Sequence, residues 1–519
     1  MDSSCILALD QGTTSCRAIL FNRYGKIIWC SQKEITQYFP YSGWVEHNAE
    51  EIWATQLGTI YEALVRAQRS VEDIVTIGIT NQRETTVLWD RETSKPLYNA
   101  IVWQDRRTTD YCESLKSAGY EEIINKKTGL PIDPYFSASK LKWMLDNVPD
   151  ARKKAEQGKL AFGTIDSWLV WNLTQRKKHV TDITNASRTS LFNIETQTWD
   201  DDLLKIFDIP RSLLPEVCGC SEIVGEWSAS GSTQKIPISG IAGDQHAALF
   251  GQLCIKPGMA KNTYGTGCFV MLNTGDKLIR SSKKLVTTIA WKIGDQINYA
   301  LEGSIFIGGA VVQWLRDKIK IINNAADIEN LAKAVMDEEE KKRAIESKLT
   351  TSSGNDEYCI VVPAFVGLGA PHWEPRARGA MFGITRNSSS AHVAKAALES
   401  IAYQSCDVLN AMATDVGYPI TELRVDGGAA TNNLLMQFQA DMLNQNVIRP
   451  KITETTALGA AYLAGLAVKY WPDIQSLHQQ WQQDHCFSPK INDIDRNRRL
   501  SAWHRALKAT IYWSNLNEE

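Results

Sequence analysis

At 519 residues the chain is too long for one ordinary core, and two to four domains are expected. A composition of 44% hydrophobic and 22% charged residues, with 33 Gly and 16 Pro, excludes a disordered, fibrous or collagen-like chain. The 56 Lys and Arg against 59 Asp and Glu leave a net charge of −3 and a pI near 6.3, without the basic footprint of a nucleic-acid binder.

Residues 5–9 form a short apolar run closed by Asp10-Gln-Gly-Thr-Thr-Ser15. Strands are expected over 18–21 and 26–29, joined by a turn at 22–25, so the chain opens as an antiparallel meander. Ile52, Trp53, Leu57, Ile60 and Leu64 recur at helical spacing over 49–67, with Asn48 as the expected N-cap. Residues 74–79 are apolar enough for a buried parallel strand, which gives the order β-β-β-α-β.

A second start lies past the middle. A strand over 259–263 leads into Tyr264-Gly-Thr-Gly267, followed by strands over 268–272, 286–291 and 297–301. A helix over about 305–318, a strand over 358–362 and a helix over 391–412 come next. A strand over 423–425 and helices over 433–443 and 456–469 complete the half. The β-β-β-α plan therefore occurs twice, and the expectation is two related α/β domains, 1–251 and 252–519, facing each other across a cleft. Residues 337–355 are charged and polar and read as a solvated helix end and surface loop.

The 11 cysteines contain no C-x-x-C pair, and no Cys/His cluster has zinc spacing. They read as reduced, mostly buried thiols of a cytoplasmic protein. MDSSC lacks the pattern of a signal peptide, no apolar run approaches the ~20 residues that span a bilayer, and NLNEE matches no lipidation signal. The 17 Trp are the one compositional oddity and read first as packing.

G-x-x-x-x-G-K-[ST], G-x-G-x-x-G, H-E-x-x-H and G-x-S-x-G are all absent, which weakens the P-loop, dinucleotide, zincin and hydrolase readings. In the turn after residue 9, Gly12 lets successive N–H groups face an anion, and Thr13, Thr14 and Ser15 add hydroxyls. Asp10 is placed to hold hydrated Mg²⁺ and Arg17 to meet a phosphate oxygen. Taken alone, the segment reads equally well as a polar hairpin turn whose hydroxyls satisfy the backbone. Its counterpart Tyr264-Gly-Thr-Gly267 tips the balance, because two facing Gly/Thr turns would clamp the phosphates of a nucleotide. Asp426-Gly-Gly-Ala-Ala-Thr-Asn432, between a strand and a helix, allows close approach of a flat ligand and suits an adenosine site.

These residues resemble the glycerol kinases of the FGGY carbohydrate kinase family, within the actin/hexokinase-like ATPases. The resemblance runs through Gly43-Trp-Val-Glu-His47, Ile79-Thr-Asn-Gln-Arg-Glu-Thr85, Asn99-Ala-Ile-Val-Trp-Gln104 and Asp133-Pro-Tyr-Phe136. It continues in Asn185-Ala-Ser-Arg188, Gly240-Ile-Ala-Gly-Asp-Gln245, Lys261-Asn-Thr-Tyr-Gly-Thr-Gly267 and Thr456-Ala-Leu-Gly-Ala-Ala461, nearly the whole chain. It implies two ribonuclease H-like (actin-like ATPase) domains around a central cleft, and ATP-dependent phosphorylation of glycerol to sn-glycerol 3-phosphate with Mg²⁺. Glycerol is expected against Arg83, Glu84, Trp103, Tyr135, Asp244, Gln245 and Phe269, with Asp244 as general base. The nucleotide is expected on Thr13, Thr14, Ser15, Arg17, Thr266, Gly309, Gln313, Gly428 and Asn432, and the metal on Asp10 and Asp244. The resemblance also implies a homodimer or homotetramer. Two departures stand out. His246 replaces the second Gln usual after Asp-Gln and reads as packing, and Thr233-Gln-Lys235 replaces the Gly-Thr-Arg that serves sugar-bisphosphate inhibition in bacterial relatives, so that inhibition is not carried over.

Overall fold

The computed structural model describes residues 3–346 and 359–516. The first half is a six-stranded sheet built from β1 (Cys5–Gln11), β2 (Ser15–Phe21), β3 (Ile27–Glu34), β4 (Ile74–Asn81), β5 (Ser221–Trp227) and β6 (Ile236–Gly243). Its strand order is β5-β6-β4-β1-β2-β3, with β1, β4 and β6 parallel to one another and the meander β1-β2-β3 antiparallel. Every residue of β1 is buried because both faces are covered, which is why its sequence is a continuous apolar run. Helix α1 (Ala49–Arg66) packs on β2 and β3, and Asn48 caps it by accepting from Glu50 N at 2.8 Å and Glu51 N at 3.1 Å. A short helix α2 (Asp244–Gly251) starts directly where β6 ends.

The second half repeats the plan. Its strands are β7 (Met259–Tyr264), β8 (Cys268–Gly275), β9 (Val286–Ile293), β10 (Gln296–Ile305), β11 (Glu422–Asp426), β12 (Val447–Pro450) and β13 (Gln483–Phe487), in the order β9-β10-β8-β7-β11-β12-β13. With the antiparallel strands β5, β9 and β13 set aside, β3-β2-β1-β4-β6 of the first sheet corresponds strand for strand to β10-β8-β7-β11-β12 of the second, and β7, β11 and β12 are parallel as β1, β4 and β6 are. The extra antiparallel strand β9 fastens to the outside of β10.

Three helices organise this half: α3 (Ala310–Trp314), α4 (Ser390–Val416) and α5 (Asn433–Leu443). The helix expected from residue 305 begins only at Ala310, because β10 runs on to Ile305 and Gly308-Gly309 fold back over the preceding Gly turn. Of the charged stretch 337–355, residues 337–346 belong to the helix Asp327–Glu346, with Asp337 and Glu338 exposed, and 347–355 lie outside the described residues. Helix α6 (Thr455–Ala467) leaves its own sheet and lies across β1, β4 and β6 of the first. Its seat depends on missing side chains: a Cβ on Gly78 would stand 2.3 Å from Ala460 O, and one on Gly240 2.4 Å from Ala464 N.

Candidate active site

Parallel pairing sets the site. β1 ends at Gln11, β4 at Asn81 and β6 at Gly243, in a register that pairs Gln11 with Asn81 and Asn81 with Gly243. The Gly12–Thr14 turn, the Gln82–Glu84 segment and the Asp244 end of α2 thus emerge side by side at the carboxyl edge of one sheet, where open α/β sheets bind ligands. In the second half, Thr263 pairs with Asp426, so the turns Gly265–Gly267 and Gly427–Gly428 leave the other sheet together.

Side chains from both halves meet in the space between. Arg83 is 3% exposed; its Nε lies 3.1 Å from Asp244 Oδ1, and its two Nη groups donate to Glu302 of β10 at 2.7 and 2.8 Å. Arg83 Nη2 also reaches Tyr135 Oη at 3.5 Å. Glu84, held at φ 60°, accepts from Arg188 Nε at 2.5 Å, and Arg188 donates to Glu302 at 3.1 and 3.3 Å. The Trp103 ring lies 5.5 Å from Tyr135 and 6.3 Å from Phe269, and its Nε1 donates to Thr13 Oγ1 at 3.0 Å. Lys261 of β7 donates to Gln245 Oε1, and to Thr263 Oγ1 at 2.9 Å. Gln245 therefore turns its amide NH₂ away from the lysine. All seven expected substrate residues come together around this space.

Asp244 is the reactive candidate. Its Oδ1 accepts from Gln245 N at 2.6 Å and faces Arg83, and no protein donor reaches Oδ2 among the described residues. Gly243 is held from behind, its N–H donating to Thr184 Oγ1 at 2.9 Å. Burial pushes the Asp244 pKa above the usual carboxylate range, with the Arg83 guanidinium opposing. Burial also raises Asp10, to about 6; Arg17 opposes, while Glu454 and Asp244 add repulsion. The two carboxylates thus feel each other, and both gain from a shared cation. Burial lowers Lys261 to about 8, with Asp426 and Asp244 opposing.

On the side expected to take the nucleotide, Gly308 N and Ala310 N donate to Thr266 O, and Gly309 N donates to Gly265 O, so two Gly turns are stitched into one platform at the start of α3. Gln313 lies one turn along that helix, exposed. Gly427, at φ +86°, closes against the Tyr264 backbone, and Gly428 beside it is exposed. Asn432 caps α5, its Oδ1 accepting from Leu435 N at 2.9 Å. In the first half Thr14 is exposed and Ser15 buried, while Arg17 pairs with Glu454 at 2.6 Å and stands 3.7 Å from Asp10.

A two-fold repeated sheet plan, with Gly/Thr turns on both sides of one cleft, is matched along the chain by the N-terminal domain of the FGGY family of carbohydrate kinases over residues 5–251 and by its C-terminal domain over 260–468. The chain belongs to the FGGY family of carbohydrate kinases. Relatives named glycerol kinase from Paraburkholderia phytofirmans and Burkholderia multivorans are 60% and 59% identical over 515 residues, covering 99% of this chain and 100% and 99% of theirs. A Plasmodium falciparum glycerol kinase solved with ADP is 36% identical, with a TM-score of 0.89 over 98% of each chain. A Lactobacillus acidophilus xylulose kinase, 21% identical with a TM-score of 0.86 over 99% of this chain and 100% of that one, shares the fold.

Sequence reasoning left Glu302, Arg188 and Lys261 without roles in this kinase. Glu302 carried a signal, an acid in the middle of the apolar run Tyr299-Ala-Leu-Glu-Gly, and Lys261 another, a cation inside a buried strand. Each needs a partner, and only the fold shows which.

Proposed function

We propose that this kinase phosphorylates glycerol, transferring the γ-phosphoryl group of ATP to a terminal hydroxyl to give sn-glycerol 3-phosphate and ADP. The observation that carries the reading is the two-sided wall between the halves. Arg83, Asp244 and Gln245 present polar groups, and Trp103, Tyr135 and Phe269 present rings, which matches a small triol with one oxygen-rich edge and one carbon face. The 60% identity to relatives named glycerol kinase supports the same substrate.

In this reading the polyol oxygens meet Arg83, Glu84, Tyr135 and Gln245, and one terminal hydroxyl points to Asp244 Oδ2. As that oxygen attacks the γ-phosphorus, its proton passes to Asp244 and the bond to the β–γ bridging oxygen breaks, leaving ADP. The raised pKa of Asp244 suits a base that must accept a proton and later release it. Thr13, Thr14, Ser15 and Arg17 face the phosphates from the first half, and Thr266, Gly309, Gln313, Gly428 and Asn432 take the nucleotide from the second. Asp10 and Asp244 fit Mg²⁺ held through water: they are two mutually repelling carboxylates, and no third His, Cys, Asp or Glu completes a direct ligand cluster among the described residues. The ion supplies charge neutralisation at the phosphates.

The division of labour follows residues 1–251 for polyol and phosphate and 252–519 for nucleotide. A cytoplasmic homodimer or homotetramer completes the reading, and light scattering tests the assembly. No helix among the described residues is long and apolar enough to cross a membrane. The deciding experiment is a coupled ADP-release assay over glycerol, a tetritol and a pentulose. Glycerol is expected to have the highest kcat/KM, and faster turnover of either other substrate overturns the proposal.

A further inference from the structure

The buried charge cluster at the back of the site contains one member from the other half of the molecule. Glu302 lies mid-strand in β10, 1% exposed, with Met271 and Val286 beside it on the neighbouring strands. An ionised carboxylate there is costly unless neighbours replace its water. Glu302 Oε2 accepts from Arg83 Nη1 at 2.7 Å and Arg188 Nη1 at 3.1 Å, and Oε1 accepts from Arg83 Nη2 at 2.8 Å and Arg188 Nη2 at 3.3 Å. Both arginines belong to the first half. The acid is supplied by the sheet that carries the nucleotide turns, and what it holds is the substrate side.

Resting on the glycerol reading above, we infer that Glu302 is a positioning residue for substrate recognition: it fixes the Arg83 fork from across the cleft and so completes the polyol subsite only when both halves are together. The argument is one of edges. A guanidinium has an end formed by its two Nη groups and a side formed by Nε and one Nη. Glu302 occupies the end. The side left over is bordered by Asp244, 3.1 Å from Nε, and by Tyr135, 3.5 Å from Nη2. Its remaining N–H groups therefore point into the gap between the base and the phenol, where the substrate oxygens must lie for Asp244 to act. Arg188 serves the same end from the other direction, holding Glu84 at 2.5 Å while sharing Glu302.

Without Glu302, Arg83 keeps its charge but loses the partner that selects this rotamer, and Asp244 becomes the nearest acid to capture it. A misaimed Arg83 weakens polyol binding and draws on the catalytic carboxylate. The nucleotide turns at 265–267 and 308–309 hold each other through backbone bonds that do not involve Glu302.

The test compares E302Q, which keeps the shape and loses the charge, and E302D, which keeps the charge and withdraws it. Steady-state kinetics are measured with glycerol and ATP varied separately. For E302Q, KM for glycerol is expected to rise about 10- to 100-fold, the range of a lost hydrogen bond to a charged group, while KM for ATP stays within about threefold. E302D is expected to fall between E302Q and the parent. A glycerol KM within threefold of the parent in both variants, or an ATP KM that rises with it, overturns the inference; a general packing defect produces the second pattern. If E302Q does not fold, the same split in E302D decides. A parent enzyme that does not turn over glycerol instead refutes the substrate reading, so the two failures are distinct.

Discussion

Gly459→Ala isolates how a distant helix places the proposed catalytic carboxylate, Asp244. α6 crosses α2 so closely that a Cβ on Gly459 would stand 1.8 Å from Ala247 O, whereas ordinary van der Waals contact begins at 3.4 Å. The obstacle is backbone, so the helices must separate by on the order of 1.5 Å. A second glycine prevents relief by sliding, since a Cβ on Gly251 would lie 2.0 Å from Thr455 O. Such overpacking costs about 1–3 kcal/mol. α2 begins at Asp244, so the shift reaches the proposed base directly, and a misplacement of about 1 Å costs on the order of 100-fold in rate. Thermal unfolding and kcat, measured on the same preparation, should therefore both fall. Gly58→Ala is the control: Gly58 is exposed on α1 with no atom within 4 Å of its would-be Cβ, and the change should stabilise by about 0.5–1 kcal/mol without altering kcat. A Gly459→Ala protein with parental kcat refutes the reasoning, even if its stability drops.

Three further outcomes follow from the same geometry. Gly309→Ala places a methyl 2.8 Å from Gly265 O and should raise KM for ATP about tenfold with KM for glycerol unchanged; equal effects on both count against separate subsites. Arg107→Ala removes a cation whose side chain is fully buried, bound to Glu46 at 2.7 Å and Asp105 at 2.8 Å and lying 3.7 Å over Trp44, and should cost about 3–5 kcal/mol in denaturant unfolding. Asp10 keeps its proton to about pH 6 in the folded chain against 3.8 ordinarily, so its ionisation leaves stability untouched below pH 3.8 and subtracts from it as pH rises to 6. Asn at position 10 should accordingly gain about 2 kcal/mol on the parent between pH 4 and pH 7, and a pH-independent difference contradicts that assignment.

What could be read from the sequence is what depends on near neighbours. The Asn48 cap, the apolar strand before Asp10 and the paired Gly/Thr turns are local patterns, and the structure contains all three. Local pattern places the start of α3 too early, because Ile305 to Lys318 is helix-compatible by itself, whereas the strand runs on to Ile305 and Gly308 packs where a Cβ would meet Cys268 Sγ at 2.6 Å. The path of α6 over the first sheet was hidden, since its apolar helix fits either half equally well by pattern. The Arg83–Glu302 pair spans 219 residues of sequence, and no spacing rule reaches that far. The tryptophans, opaque in composition, divide by place: Trp103 faces the candidate pocket, Trp44 and Trp143 meet edge to face and both lie against the Arg107 guanidinium, and Trp89 packs against Trp168 and Trp171 in the first core.

The most direct test of the central claim is the turnover of Asp244→Asn with glycerol and ATP, alongside nucleotide binding by calorimetry. Asn keeps the size of the side chain and can still accept from Gln245 N, but it cannot take the hydroxyl proton at Oδ2. The account predicts a kcat lower by about 10²–10⁴-fold with nucleotide affinity within a few fold of the parent. Asp244→Asn protein that phosphorylates glycerol at the parental rate contradicts it.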